Sequence, residues 1–146
     1  MRRLPALSPA VIVALAAVFA GCGPGGTESG ATVSVYAAAP LCKEARTGAG
    51  AAGDLEVRVV CLPPRGSGDE ALAGAGADAR RATQDSTSVA FLEAPGPTAK
   101  FSQSIVEAAD VAWVETSSGA TAMQRIVKAL EGDGSSPRKA VLDEVG

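Results

Sequence analysis

The sequence predicts an α/β fold, a single doubly wound and mostly parallel sheet of about four strands with helices on both faces. Short β-branched segments alternate with segments of helical periodicity four times along the chain. Strands that alternate with helices form parallel sheets through right-handed crossovers. Aromatic residues make up only 3% of the chain and apolar residues 47%. The core must therefore consist mainly of small aliphatic side chains.

The four predicted strands are short and rich in Val, Leu and Ala. In the second strand Leu55, Val57 and Val59 alternate with polar residues and share one face. Turn-forming residues flank each of these segments, which keeps the strands separate from the helices. The predicted strands are residues 32–36, 55–61, 88–92 and 111–114.

The predicted helices follow the strands and show apolar residues at helical spacing. Glycines fray the end of the first helix, Thr98 caps the third, Ser117 to Gly119 open the fourth, and proline begins the last. We expect Leu72, Ala75, Ala79 and Ala82 to face inward in the second helix, and Phe101, Ile105 and Ala108 in the third. The predicted helices are residues 40–52, 69–84, 98–109, 117–130 and 137–145.

The N-terminal segment has the features of a secretory signal. Arg2 and Arg3 precede an uninterrupted apolar run over residues 11–20. That run is about half of the roughly 20 residues that a membrane-spanning helix needs. A charged start, a short apolar stretch and small residues after it are typical of a cleaved signal peptide.

The end of this segment resembles a bacterial lipoprotein signal. In that class the cysteine at the cleavage site receives diacylglycerol and becomes the new N-terminus. Ala20, Gly21 and Cys22 match the pattern, and Phe19 departs from the usual leucine. The resemblance implies an acylated (for example palmitoylated) Cys22, bilayer lipid as partner and an extracytoplasmic location on the cell membrane. The alternative is an ordinary signal peptide with an incidental cysteine.

This interpretation divides the chain into a signal peptide at 1–21, a flexible tether at 22–31 and one α/β domain at 32–146. The chain contains no histidine, so a Ser-His-Asp triad, a Cys-His dyad and an imidazole zinc site are excluded. Its formal charge of −3 argues against nucleic acid as a partner. We expect no enzyme activity, no metal and no cofactor.

Cys42 and Cys61 are predicted to form a disulfide. Secretion would expose both thiols to an oxidising compartment. Each cysteine falls at the carboxyl end of a predicted strand, and these strands are neighbours in a doubly wound sheet. The alternative is a pair of unpaired buried thiols. Residues 48–53 match G-x-G-x-x-G by letter, but they close a helix and precede a strand, so dinucleotide binding is rejected.

Two predicted strand-to-helix turns are candidates for ligand binding. Residues 93–99 contain Thr98, and residues 115–121 contain Ser117 and Ser118. Open α/β sheets bind ligands at this edge, and helix starts favour carboxylate or phosphate. The alternative is that these hydroxyls are only N-caps. Glu93 and Glu115 lie in the same turns and could form an acid/base pair, although Glu faces solvent far more often than it catalyses.

The order of elements resembles the first lobe of type I periplasmic binding proteins, the Leu/Ile/Val-type solute receptors of ABC transporters. Residues 79–92 resemble that family's second helix and third strand, and residues 101–112 its next helix and the following part of the binding edge. Residues 117–120 fall where family members hold a ligand carboxylate. The resemblance extends from Thr32 to Leu130.

The resemblance implies a one-lobe module that binds amino acids or small carboxylates weakly, with Thr98, Ser117 and Ser118 as ligand contacts. An ABC permease or a second copy of the chain would be its protein partner. Family members close two lobes around the solute, and residues 22–146 suffice for only one. The alternative function is a non-catalytic lipoprotein that docks a protein partner.

Overall fold

The computed structural model describes residues 30–132 and 136–146. The predicted signal peptide, Cys22 and all but the last residues of the tether lie outside the described residues. Among the described helices, none is long and apolar enough to cross a membrane. The elements are β1 Thr32–Ala37, α1 Cys42–Gly48, β2 Ala51–Ala52, β3 Leu55–Cys61, α2 Gly68–Gln84, β4 Ser88–Glu93, α3 Ala99–Glu107, β5 Ala112–Glu115, α4 Gly119–Leu130 and α5 Pro137–Val145.

The sheet confirms the predicted α/β class. Its strand order is β2-β3-β1-β4-β5, and β1 pairs in parallel with both β3 and β4. β5 continues the parallel sheet beside β4. The chain therefore runs from β1 outward to β3, crosses back over β1 to β4 and continues to β5. This reversal of direction defines the doubly wound topology.

The sequence did not predict β2. Residues 40–52 were expected to form one helix, but a turn of 3-10 helix at Ala39–Leu41 precedes α1, and α1 ends at Gly48. The chain then forms β2, which pairs antiparallel with the start of β3. Gly53 turns the chain between them with φ +59°, a conformation that glycine adopts without strain.

Two hydrophobic cores lie on opposite faces of the sheet. Helices α1, α4 and α5 cover one face, and α2 and α3 cover the other. β1 shows the alternation, because Val35 belongs to the first core and Tyr36 to the second. Both residues are almost fully buried, so the central strand is covered on both sides, as expected for a parallel sheet.

The predicted inward faces of α2 and α3 are partly wrong. Leu72 is 40% exposed and Phe101 is 46% exposed. In α3 the buried residues are Ala99, Ser102 and Val106 instead. The helix is rotated by about one residue from the prediction, because the Ser102 hydroxyl has buried polar partners, which are described below. The ring of Phe101 lies against Gly76 of α2 instead of entering the core.

Candidate solute site

A cavity of about 450 Å³ lies at the carboxyl edge of the sheet. It opens beyond the ends of β1, β3 and β4, where the chain reverses its direction across the sheet. Open α/β sheets bind ligands in this crevice, because the loops after the outgoing and returning strands separate there. The cavity is lined by residues 38–40, 63–68 and 93–98 and by Ala71.

Five of the nine prolines in the chain line this cavity. The pyrrolidine ring fixes φ near −65° and removes the backbone N–H. The walls are therefore stiff at these five positions, which carry no backbone N–H donor. A preformed shape lowers the entropy that a ligand must lose on binding. The five are Pro40, Pro63, Pro64, Pro95 and Pro97.

A guanidinium held by two carboxylates forms one side of the cavity. Arg65 donates from Nε to Asp78 Oδ2 at 2.8 Å. Its Nη1 lies 3.0 Å from both Oε1 and Oε2 of Glu93. The three side chains are 13%, 8% and 3% exposed. Charge-assisted hydrogen bonds of this length are strong when they are shielded from water.

The elements behind the cavity extend this network. The Ser102 hydroxyl of α3 donates to Glu93 Oε2 at 2.8 Å, and Trp113 Nε1 of β5 donates to the Ser102 oxygen at 3.2 Å. Arg65 Nη1 also lies 3.4 Å from the hydroxyl oxygen of Thr98, which is a weak contact. Glu93 is thus held directly by Arg65 and Ser102, and Trp113 holds Ser102 in turn. This arrangement explains why Ser102, a polar residue, is fully buried.

The carboxylates stabilise the charged form of Arg65. Burial alone would lower the pKa of its guanidinium, but hydrogen bonds and charge attraction from Asp78 and Glu93 outweigh burial and raise it. One positive and two negative charges leave the cluster with one net negative charge. Arg65 Nη2 is buried and has no hydrogen-bond acceptor among the described residues.

The disulfide joins two walls of the cavity. Cys42 and Cys61 are bonded as predicted, with their Cα atoms 5.4 Å apart. Cys42 follows the Pro40 wall by two residues, and Cys61 precedes the Pro63 wall by two. The bond therefore ties the loop after β1 to the loop after β3, next to the cavity.

The structure separates the three predicted contact residues. Thr98 lines the cavity. Ser117 is exposed and does not line it, and Ser118 is the N-cap of α4, where its hydroxyl accepts a hydrogen bond from Thr121 N at 3.3 Å. In this structure Ser118 thus has the N-cap geometry that was the alternative. Whether Ser117 and Ser118 also contact a ligand stays a prediction.

A carboxylate from the protein itself binds the N-terminus of α4. Glu44 Oε2 of α1 accepts a hydrogen bond from Gly119 N at 3.0 Å. The two helices approach closely there, since a Cβ at position 119 would lie 2.5 Å from the Leu41 carbonyl oxygen. The helix start that the sequence offered to a ligand carboxylate therefore already has a negatively charged partner.

Glu93 and Glu115 end adjacent strands and face each other in register. Their environments differ, because Glu93 is buried against Arg65 and Glu115 is exposed. The residues that sequence reasoning missed are Arg65, Asp78 and Ser102. A usable signal existed only for Arg65, which follows two prolines just after a strand end and so belongs to the binding edge.

Comparison with known proteins adds no further information. No protein-family model matches the chain. Searches of curated protein sequences and of solved structures find no match either.

Proposed function

We propose that this protein is a non-catalytic binding module for small organic solutes, held by an acylated Cys22 on the extracytoplasmic face of the cell membrane. The observation that carries the solute-binding part is the cavity at the sheet reversal, with stiff proline walls and a buried guanidinium–carboxylate cluster. Preformed concave sites with few fixed polar groups are typical of small-molecule binding. Amino acids and small carboxylates are among the candidate solutes.

We also propose that the cavity binds its solute without catalysing a reaction. Glu93, the buried carboxylate at the cavity, already accepts hydrogen bonds from Arg65 and Ser102. Both of its oxygens are therefore engaged in hydrogen bonds within the protein. The cluster therefore fits ligand positioning better than general base catalysis.

Gly30 and Ala31, the last residues of the predicted tether, lie at the opposite end of β1 from the cavity. The described chain enters at Gly30, just before the amino end of the strand, and the cavity opens beyond its carboxyl end. Six residues of strand span about 20 Å. An anchor attached through Cys22 would thus leave the cavity accessible to solutes and to a permease.

A second candidate function is docking of a protein partner. Leu72 and Phe101 are the large apolar side chains most exposed among the described residues. Phe101 packs on Gly76, one helical turn from Leu72 along α2, so both belong to one face. This face adjoins the cavity through Ala71.

Calorimetric titration tests the solute-binding part. The protein would be titrated with a panel of amino acids, small carboxylates and simple amines. Gly96→Trp should abolish binding, since position 96 lines the cavity and a Cβ there meets no atom within 4 Å. Gly50→Trp is the matched control, because that position is equally open but lies outside the cavity.

Thr98→Ala and Ser117→Ala show whether the solute binds in the cavity or at the turn before α4. Thr98 lines the cavity and Ser117 does not, so only the first substitution should weaken binding. Loss of binding in Ser117→Ala alone would place the solute at the turn instead. Absence of any binding across the panel, together with capture of a protein through the Leu72 face, would favour docking.

The anchor has a separate test. Expression in a bacterial host with labelled palmitate should label the wild-type chain and partition it into detergent. Cys22→Ala should lose both the label and the partitioning. If Cys22→Ala were still processed and released normally while the wild-type chain carried no lipid, the segment would be an ordinary signal peptide.

A further inference from the structure

The charge at the cavity narrows the class of solute. Arg65 and Glu93 are the charged residues among the described cavity lining, and Asp78 pairs with Arg65 from behind. One guanidinium shared by two carboxylates leaves one negative charge in a partly dry site. At the rim Glu70 adds another, because its Oε2 lies 2.5 Å from the position of a Cβ at Gly66. A positively charged ligand would therefore be attracted and an anion repelled.

The hydrogen-bonding capacity of Glu93 favours the same class. Prolines at five of the sixteen lining positions have no backbone N–H, and the other eleven residues keep theirs. Glu93 Oε1 accepts a hydrogen bond from Arg65 as its single donor among the described residues. An ammonium group brings three donors, whereas a carboxylate brings none. The spare accepting capacity of Glu93 is thus complementary to a donor-rich cation.

We infer that the cavity prefers a small monocationic amine with an apolar chain to a carboxylate of the same size. This inference rests on the proposed function, and it names the ligand class for the same site. It differs from the expectation that hydroxyls at the helix starts hold a carboxylate. Glu44 already binds the α4 start, whereas the α3 start with Thr98 lies in the cavity beside Glu93.

Arg65 Nη2 and the N-termini of α2 and α3, which line the cavity, argue for the opposite choice. Arg65 Nη2 is a buried donor without an acceptor among the described residues. A ligand carboxylate could satisfy it, but it would bring the buried cluster to two net negative charges. Unpaired charge in a desolvated site costs more than one unmade hydrogen bond. A neutral oxygen, such as that of a water or a hydroxyl, satisfies Nη2 without that cost.

Three probes of equal chain length test the inference at neutral pH: n-butylamine, n-butanol and butyrate. Each would be titrated into the full chain and followed by calorimetry and by Trp113 fluorescence. We expect n-butylamine to bind at least about tenfold more tightly than butyrate, the effect of one unit charge at short range in a partly buried site. Raising the salt concentration should weaken n-butylamine binding only modestly, because the charges are shielded from solvent.

Charge variants test whether the Arg65–Asp78–Glu93 cluster causes the preference for an amine over a carboxylate. Asp78→Asn keeps the side-chain shape and neutralises the cluster, so the ratio of amine to carboxylate affinity should fall about tenfold. Glu56→Gln is the matched control, because this exposed carboxylate is paired in register with Thr32 at the opposite edge of the sheet. Near-ultraviolet circular dichroism would establish that each variant is folded.

The preference for amines and the solute site itself are contradicted by different results. Butyrate binding as tightly as n-butylamine, or more tightly, would overturn the preference for amines but leave a solute site in the cavity. If none of the three probes nor any panel solute bound, solute binding itself would be wrong. The order of the three probe affinities in the wild-type chain tests the inference even if Asp78→Asn does not fold.

Discussion

The guanidinium of Arg65 lies 3.0 Å from both carboxylate oxygens of Glu93, although 28 residues separate them in the chain. Arg65 belongs to the loop after β3, and Glu93 is the last residue of β4. The pair therefore spans the reversal of the sheet and connects two walls of the cavity. Asp78, from α2, holds the other side of the same guanidinium.

Removing Arg65 should destabilise the protein strongly. Arg65→Met leaves Asp78 and Glu93 buried without a cation, and loss of one partner of a buried pair typically costs about 3–5 kcal/mol. Urea unfolding would measure the difference. Lys139→Met is the control, because Lys139 and Asp143 form an exposed pair in α5 that should contribute less than about 1 kcal/mol. Equal effects of the two substitutions would contradict the importance assigned to Arg65.

The disulfide should contribute about 3 kcal/mol to the free energy of unfolding, as expected for cysteines 19 residues apart. The measurement uses a Cys22→Ala background, so that only Cys42 and Cys61 remain. Urea unfolding with and without a reductant should show the loss, and thiol titration of the unreduced chain should find no thiol. The Cys42→Ser/Cys61→Ser double variant should no longer respond to reductant. Two titratable thiols in the unreduced protein would contradict the bond.

Gly119→Ala should destabilise the α1–α4 contact by about 1–3 kcal/mol, the usual cost of overpacking. The added methyl group would lie 2.5 Å from the Leu41 carbonyl oxygen and 2.9 Å from Ala45 N, and neither backbone atom can move easily. Gly50→Ala is the matched control, since its Cβ would meet no atom within 4 Å. Thermal unfolding of both variants checks the prediction, which a stable Gly119→Ala protein would contradict.

Tyr36 and Asp85 should make the stability depend on pH at both extremes. The Tyr36 hydroxyl donates to Asp85 Oδ2 at 2.8 Å. Burial opposes ionisation of Asp85, but hydrogen bonds from the side chain and backbone of Thr87 and from Tyr36 outweigh it and lower its pKa below 3.8. Burial, together with Asp85, raises the pKa of Tyr36 above 10.0.

The lowered pKa of Asp85 and the raised pKa of Tyr36 affect the stability at opposite ends of the pH range. The contribution of Asp85 is complete above pH 3.8 and is lost as the pH falls through its lowered pKa in the folded state. The contribution of Tyr36 is complete below pH 10.0 and is lost as the pH rises through its raised pKa. Tyr36→Phe should remove the alkaline loss and reduce the acid loss. Urea unfolding across pH measures this, and phenolate absorbance reports Tyr36 directly, because it is the only tyrosine in the chain. Identical pH profiles for both proteins would contradict the assignment.

Short β-branched and apolar runs predicted the main strands, because the central strands of a parallel sheet are buried on both faces. The run Ser88–Glu93 is buried at every position, and its four central residues are apolar. The strand β2 could not be predicted this way, because two alanines carry no period and the pairing depends on the turn at Gly53. The orientation of α3 was mispredicted for another reason. Hydrophobicity favoured Phe101, whereas a hydrogen bond to Glu93 buries Ser102.

The sequence predicted the edge of the sheet at which the candidate site lies, but it did not predict most of the residues that form the site. The carboxyl edge of a doubly wound sheet was expected to be the binding edge, and Thr98, predicted there as a ligand contact, lines the cavity. The Arg65–Asp78–Glu93 cluster joins three elements, and no local spacing encodes such a contact. The hydrogen bond of Glu44 to the α4 start could not be predicted either, because Glu44 precedes Gly119 by 75 residues.

Nitrogen-15 chemical-shift mapping of the full chain during titration with n-butylamine tests the central claim most directly. We expect the largest shifts on the non-proline lining residues of segments 38–40, 63–68 and 93–98, and we expect these shifts to saturate together. Gly96→Trp should suppress them, and Gly50→Trp should not. Shifts confined to residues 117–121 or to the Leu72 face, with the cavity segments unchanged, would contradict it.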